Sequence, residues 1–434
     1  MRRIHTALLV LLTASPAAAQ SRPLIYSPEG NRLRRYDIAT IDAPVLREDV
    51  LIDRANSGPN GRDVNGPVCL IPDGSNRFIM GEDTGQPAIP PGWGVFEADG
   101  TQVGKLAATY FVSPGDPFGC VFDSEGRLFT TEIGNDATGP LNGQLIVWFP
   151  PFDRFPGPPG TYPNDARSTN FCKIASNIGT STGVAIDEEN RIYVASARTG
   201  QILRFSPPFP TAPDAAGGCG GIDALGSPVA DSVRVETFVA DSNVPTPTYI
   251  ARAANGNWYV ASVFSGTIGE YDSSGTFVQL VLPHPEGEVT FPLSTGHPQG
   301  LAVDVEGNLY YADLQLRLGP GGFGPGPNGK VWRIRFVEGA PQPPEIVREG
   351  LAFPDSVSIL NGRLDLCYGD CDRDGKVGVD ELVHAVGITL GHASVEECEL
   401  LDANLDGNAS IADLATSVDV SLNGCPSPTD GGEE

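Results

Sequence analysis

Long apolar runs are scarce in this chain of 434 residues. The most apolar stretch near its start, Ala7 to Leu12, falls far short of the ~20 residues that a membrane-spanning helix needs, so no span is expected. Basic residues are also few: 28 Lys and Arg stand against 54 Asp and Glu, for a formal charge of −26. Nucleic-acid binding needs clustered cations against phosphate, so that partner class is excluded. No H-E-x-x-H zinc helix occurs, and no serine is recognised in a strand-to-helix nucleophile elbow.

What is present starts with "MRRIHTALLVLLTASPAAAQ". Arg2 and Arg3, the apolar run and the small residues ending at Ala19 have the layout of a secretory signal over residues 1–19. The expected location is therefore outside the cell or at its surface. Eight cysteines fit an oxidising compartment. Cys69, Cys120, Cys172 and Cys219 lie in the long first region, and Cys367, Cys371, Cys398 and Cys425 in or beside the tail. Even counts on both sides suggest separate disulfide sets of open connectivity; a four-cysteine zinc site in the tail is the competing reading, without paired C-x-x-C knuckles to support it.

Internal similarity organises residues 20–366. Three stretches align: "STGVAIDEENRIYVASARTGQILRFS" from Ser181, "YIARAANGNWYVASVFSGTIGEYD" from Tyr249 and "HPQGLAVDVEGNLYYADLQL" from His297. Looser copies open at Asn65, Pro117 and Phe353. Each reads as short strands joined by D-x-x-G turns and Gly-containing connections, and six openings of this kind imply an all-β propeller of six blades. "LIYSPEGNRLRRYDI" (Leu24 to Ile38) has no opening strand of its own and is expected to share a closing blade with the C-terminal copy, which removes exposed sheet edges. Both ends offer a second strand, so the seam is not fixed by the sequence.

The "GVAID...RIYVAS...GQILRFS" pattern resembles NHL-type six-bladed propellers, a superfamily that includes gluconolactonase-like and paraoxonase-like enzymes as well as binding proteins. The resemblance speaks for architecture; activity belongs to sites. It implies, for the lactonase-like members, a central metal held by one Glu, two Asn and one Asp. Of the entry motifs here, Asn65-Gly66-Pro67, Pro117-Phe118-Gly119, Ser181-Thr182-Gly183, Pro298-Gln299-Gly300 and Pro354-Asp355-Ser356, only Asp355 and Asn65 match that set.

Aligning second strands puts Glu82, Glu132 and Asp313 at equivalent positions, with Ser196 and Ser262 between them. Together with Asp355 and the entry-loop His297 they make a candidate funnel site, able to hold a metal or to pair acid with base. Local capping of the next loop is the bland alternative. The segments 84–93, 133–142 and 314–329 gather on the same face, the expected place for a carbohydrate or small-molecule ligand. Among Trp93, Trp148, Trp258 and Trp332, Trp93 closes one of those loops and is the candidate stacking residue. The segment from Phe205 to Pro228 falls on the opposite face, where a Cys172–Cys219 link would tie it down.

The tail, residues 367–425, is of another kind, followed by an acidic end expected to be disordered at 426–434. From Cys367 onward 15 Asp and Glu meet 2 Lys and Arg, so half of the net charge sits there. "DCDRDGKVGVDEL" (370–382) sets Asp370, Asp372 and Asp374 at positions 1, 3 and 5 of a loop, Gly375 at 6, the Lys376 carbonyl at 7 and Glu381 at 12. "DANLDGNASIADL" (402–414) repeats this with Asp402, Asn404, Asp406, Gly407, the Asn408 carbonyl and Asp413. Alternate carboxylates aimed at one centre with Gly at the sharp turn are the pattern of an EF-hand calcium loop. Helices are expected after each loop, with Leu382, Val383 and Val386, and Leu414 and Val418, as the apolar positions.

Loop then helix, twice, without a leading helix, resembles a type I dockerin. The resemblance implies calcium as cofactor and a cohesin-type partner in polysaccharide processing, although positions 10 and 11 carry Val379-Asp380 and Ile411-Ala412 where dockerins commonly have hydroxyls. The combined reading is an exported calcium-binding propeller that binds or displays; a metal-dependent hydrolase or lactonase using the funnel is the alternative.

Overall fold

In the computed structural model of the protein, the residues described are 22–425 apart from 44, 54–62, 84–91, 107–116, 134–142, 153–169, 214–232, 254, 320–321, 325, 363, 365, 373 and 404–407. Residues 1–19, the expected signal, lie outside them, as do Cys219, most of the segments 84–93 and 133–142, and the acidic end. The chain divides into one compact unit, Pro23–Leu360, and a second containing residues 361–425.

The first unit is a six-bladed propeller: six antiparallel four-stranded sheets. Blade I combines Ser358–Gly362 with Arg22–Glu29, Arg32–Asp37 and Glu48–Asp53. Blade II is Asp63–Leu70, Phe78–Asp83, Gly92–Phe96 and Gln102–Leu106, and blade III is Pro117–Phe122, Leu128–Glu132, Gln144–Trp148 and Phe171–Ala175. Blade IV runs Ser181–Ile186, Ile192–Ser196, Gln201–Ser206 and Arg234–Val239. Blade V is Pro247–Arg252, Trp258–Ser262, Thr267–Tyr271 and Phe277–Leu282; blade VI is Pro298–Val303, Leu309–Asp313, Gly329–Ile334 and Glu345–Leu351. The seam is thus settled as one C-terminal strand inside three N-terminal ones, and Leu24–Ser27 belongs to the second strand of its blade.

Turn chemistry sets the register. Between first and second strands, Asp123, Asp187 and Asp304 each accept the amides two and four residues on at 2.8–3.0 Å. A short polar side chain that satisfies its own turn closes a hairpin without help from outside. Arg127 and Arg191 return to the same Asp carboxylates, while Tyr193 and Tyr310 add their hydroxyls at 2.8 and 3.0 Å in blades IV and VI.

Burial falls from inside outward. Second strands such as Leu128–Glu132 and Trp258–Ser262 are buried at every residue, whereas the outer strand Arg234–Val239 is exposed over its first four. Apolar clusters fill the spaces between blades: Ile79, Trp93 and Val95 meet Leu128, Ile146 and Trp148 between II and III. Tyr193 and Ile202 meet Trp258 and Val260 between IV and V, and Ile25 and Tyr36 meet Tyr310 and Val331 between I and VI. First strands of neighbouring blades also touch, and glycine allows it: a Cβ on Gly119 would lie 2.7 Å from the Thr182 carbonyl, and one on Gly300 2.5 Å from the Ser356 Cα. Cys69–Cys120 adds a covalent bridge between the first strands of blades II and III.

The second unit holds α1 (Val379–Thr389) and α2 (Ile411–Asn423), each following one of the acidic loops. Its core is small, with Ala385, Ile388, Cys398 and Leu401 at the centre and Leu414 beside them. Disulfides Cys367–Cys425 and Cys371–Cys398 close it. The tail cysteines are therefore consumed as pairs, which removes the zinc reading. In the first unit Cys172 is disulfide-bonded as well.

Candidate functional site

The sequence predicts that the funnel residues converge. Register confirms their equivalence: Glu132 lies opposite Pro117, Asp313 opposite Pro298, and Ser196 and Ser262 opposite Ser181 and Pro247. All are buried. The carboxylates of Asp313, Glu82 and Asp355, however, serve their own surroundings. Asp313 accepts the His297 and Gln315 amides at 2.7 Å through Oδ1 and the Trp332 indole at 3.2 Å through Oδ2. Glu82 accepts the Gln102 amide at 3.1 Å and lies 4.0 Å from the Lys105 ammonium, both on the outer strand of blade II. Asp355 accepts the Gly66 amide at 3.0 Å, tying the seam to the next blade.

Among the described residues, every group of three or more potential ligand side chains within 4.8 Å lies in the second unit, and none contains Glu82, Glu132, Asp313 or Asp355. His297 is likewise a structural residue. Its Nε2 accepts the Leu293 amide at 3.2 Å and its Nδ1 meets the Val263 carbonyl at 3.0 Å, which fixes a neutral tautomer with the proton on Nδ1. Burial lowers its pKa and keeps it so. Phe118, Thr182, Thr248 and Gln299, at the entry motifs, are each at most 6% exposed, so the first strands pack closely at this level.

Trp93 also departs from expectation. It is fully buried in the third strand of blade II, within the cluster shared with blade III, and so is a core residue with no face for a sugar. Trp148, Trp258 and Trp332 are buried as expected. One motif escaped the sequence reading: Gly179-Thr180-Ser181-Thr182-Gly183 spells G-x-S-x-G. Ser181 opens a strand instead of an elbow, is fully buried, and its hydroxyl bonds the Glu132 carbonyl and, at 3.3 Å, the Gln144 carbonyl, so it presents no nucleophile.

In the second unit the first three carboxylates of the first loop do come together. Asp370, Asp372 and Asp374 each offer a carboxylate oxygen within 4.8 Å of the others. A second group, Cys367, Asp370 and Cys425, satisfies the same distance, but its sulfurs form a disulfide and cannot ligate as thiolates. Gly375, at φ +86°, makes the sharp turn, and its amide and that of Asp374 donate to Asp370 at 2.9 and 3.1 Å. Asp374 in turn accepts the Lys376 amide at 3.0 Å.

Glu381, in the first turn of α1, is buried and folds back over the loop. Oε1 accepts the Cys371 amide at 2.6 Å and Oε2 the Gly378 amide at 2.8 Å. Thirty-two residues later, by the chain's numbering, the same clamp recurs: Asp413 accepts the Ala403 amide at 3.1 Å and the Ser410 amide at 2.8 Å. Asp402 is buried beside this second clamp and Asn408 is exposed; Asn404, Asp406 and Gly407 lie outside the described residues. The donor set, carboxylates and backbone oxygens with sulfur tied up elsewhere, suits a hard metal ion.

The helices face differently from expectation. Val383, Val386 and Val418 are exposed, and the inward positions are Glu381, Ala385 and Ile388 on α1 and Asp413 and Ser417 on α2. Val379, Val383, Val386 and Leu390 form an exposed stripe at helical spacing, matched at the same offset by Ile411, Ala415, Val418 and Leu422.

No protein-family model matches the sequence, and no curated protein matches it. Among solved structures the chain is similar to a protein of unknown function from Bacteroides caccae, at 11% identity over 78% of this chain and 99% of that one, with a TM-score of 0.46. It is also similar to luciferin-regenerating enzyme, at 13% identity over 77% and 99%, TM-score 0.43. A third is regucalcin from Agrobacterium tumefaciens, described as a calcium-binding protein, at 12% identity over 68% and 85%, TM-score 0.39. The assignment of a six-bladed propeller rests on the six sheets themselves.

Proposed function

We propose that this is an exported propeller protein that binds or displays a ligand outside the cell and carries a calcium-dependent, dockerin-like attachment module at its C-terminus. The observation that carries the reading is the duplicated carboxylate clamp of the second unit. Asp370, Glu381, Asp402 and Asp413 are all buried, and burying a carboxylate is costly unless a cation or hydrogen bonds compensate. Calcium supplies that charge and prefers oxygen donors. Asp370, Asp372, Asp374, the Lys376 carbonyl and Glu381 would hold one ion; Asp402, Asn404, Asp406, the Asn408 carbonyl and Asp413 a second.

Attachment is supported by the two exposed apolar stripes, since contiguous apolar surface marks interaction sites. A cohesin-type partner in polysaccharide processing is the form the dockerin resemblance suggests. Export is supported by the disulfides, Cys69–Cys120, Cys367–Cys425 and Cys371–Cys398 among them, and by the lack, among the described residues, of a helix long and apolar enough to cross a membrane. The hydrolase or lactonase reading gains no support from Glu82, Asp313 and Asp355, which are engaged within and between blades.

Calorimetric titration of the whole protein with Ca²⁺, beside a chain ending at Leu366 that keeps the closing strand Ser358–Gly362, tests the reading. The expected outcome is two sites in the whole protein and none in the shorter chain, together with retention of a cohesin panel in calcium and its release by chelator. Sites that persist in the shorter chain would move the metal chemistry to the propeller and revive the enzymatic alternative.

A further inference from the structure

The connection between blades V and VI, residues 283–297, carries an arrangement that the proposed function does not use. It leaves Leu282, crosses the entry face and delivers His297 to blade VI. Leu293 sits over Gly266 of the blade V turn so closely that a Cβ there would lie 2.4 Å from its Cδ1. Phe291 stacks on the His297 ring at 4.5 Å, and the Thr295 carbonyl accepts the Tyr311 hydroxyl at 2.8 Å. Beneath lie Val263, Leu314 and Leu316, with Phe291 and Phe353 beside them.

One side chain joins the start of this connection to the turn below it. The His284 ring has Nδ1 2.6 Å from the Ser265 carbonyl oxygen and Nε2 2.8 Å from the Glu288 carbonyl oxygen. Both neighbours are pure acceptors. A neutral imidazole has one N–H and so satisfies one of them, leaving a lone pair against the other oxygen; only the imidazolium donates to both.

We propose that His284 is a pH-sensitive clasp that holds the 283–297 connection onto the blade V turn when protonated and loosens it when deprotonated. The charged and titratable groups facing it are the Glu288 carboxylate, anchored by the Ser294 amide at 2.7 Å, and His297, which is held neutral by its own hydrogen bonds. The Ser265 and Glu288 carbonyls raise the His284 pKa above its ordinary value, outweighing the opposing effect of burial, and the Glu288 charge adds to them. A raised folded-state pKa means that the stabilisation is fully present below the unfolded value of about 6.5 and is lost as pH rises through the folded value. The clasp therefore closes in mild acid and opens on the alkaline side, uncovering the apolar cluster under the connection.

The test is hydrogen exchange on the full-length protein, with each amide's rate divided by its intrinsic rate at the same pH, from pH about 5.5 to about 8.5. Amides between Glu288 and Gly296 should be about five-fold better protected at the acid end, the equivalent of one exchanged hydrogen bond. In His284→Gln, whose amide does not titrate, protection should be flat with pH. Protection that is flat in the native protein, or that keeps its pH dependence in His284→Gln, overturns the proposal. A second readout needs no variant: the His284 imidazole should titrate above about 6.5 by nuclear magnetic resonance, and a value below that overturns it equally.

Discussion

Replacing Glu381 by Gln separates a cation ligand from a helix cap. The carboxylate accepts the Cys371 amide at 2.6 Å, the Asp372 amide at 3.3 Å and the Gly378 amide at 2.8 Å. Glutamine keeps one acceptor and turns an N–H against the other donors, a cost of about 1–3 kcal/mol. Against this, the substitution removes one negative charge from a loop that gathers Asp370, Asp372 and Asp374, and two carboxylates even as close as ~4 Å repel by no more than roughly 1–4 kcal/mol between bulk water and a near-surface dielectric. The effects offset, so in chelator the variant should unfold close to the parent. With calcium at about 100 times its dissociation constant, the parent gains about 2.7 kcal/mol by mass action, which the variant forfeits. A domain of roughly 60–100 residues shifts its Tm by about 4–8 °C per kcal/mol, so a gap on the order of 10–20 °C should open in calcium alone. Scanning calorimetry of the full-length protein in both buffers reads it out. A gap of the same size in chelator and in calcium would reduce Glu381 to a helix cap and refute the reasoning.

Trp93→Ala should cost the propeller about 3–5 kcal/mol, because a fully buried indole leaves a cavity between blades II and III; a denaturation midpoint equal to the parent's would return Trp93 to the surface. Replacing Cys69 and Cys120 together by Ser opens a loop of 51 residues, worth about 4 kcal/mol in the unfolded chain. Urea melts under non-reducing conditions should show that loss, and an unchanged midpoint would mean that the blade II–III packing needs no staple.

The propeller was legible because its turns are chemical. An Asp that bonds the amides two and four residues on is visible in sequence as D-x-x-G or D-x-x-N, and in blades III, IV and VI it marks the turn between first and second strands. Which strand closes the ring was not legible, since Leu24–Ser27 and the residues after Phe353 have the same apolar character; the outcome depends on which neighbour each packs against. Trp93 was misread for a related reason. A strand buried on both faces has no alternation to set it apart from an apolar loop end.

The candidate sites divide in the same way. Equivalent positions in successive blades predicted the height of Glu82, Glu132 and Asp313, and the register agrees. Direction is another matter, because each blade offers different donors: Lys105 and Gln102 draw Glu82 toward an outer strand, while Trp332 and the His297 amide engage Asp313. On α1 and α2, helical periodicity marks an apolar face without saying that it is the inner one. The clamps decide that: once Glu381 and Asp413 turn inward over their loops, Val383, Val386 and Val418 must point out.

The tail's charge has its own logic in the proposed reading. Half of the net charge of −26 lies there, yet two divalent ions would cancel only four of those charges. Four is also the number of carboxylates among the loop positions that are buried: Asp370 and Glu381 in the first loop, Asp402 and Asp413 in the second, among the described residues. Asp372 and Asp374 are exposed but would complete the first site, whereas Asp380 and Asp419 are exposed outside the ligand positions, where water and salt screen them at little cost. A cation is needed most where water cannot reach, so calcium dependence should follow the loop ligands and stay nearly unchanged in Asp380→Asn and Asp419→Asn, which thin the surplus outside them.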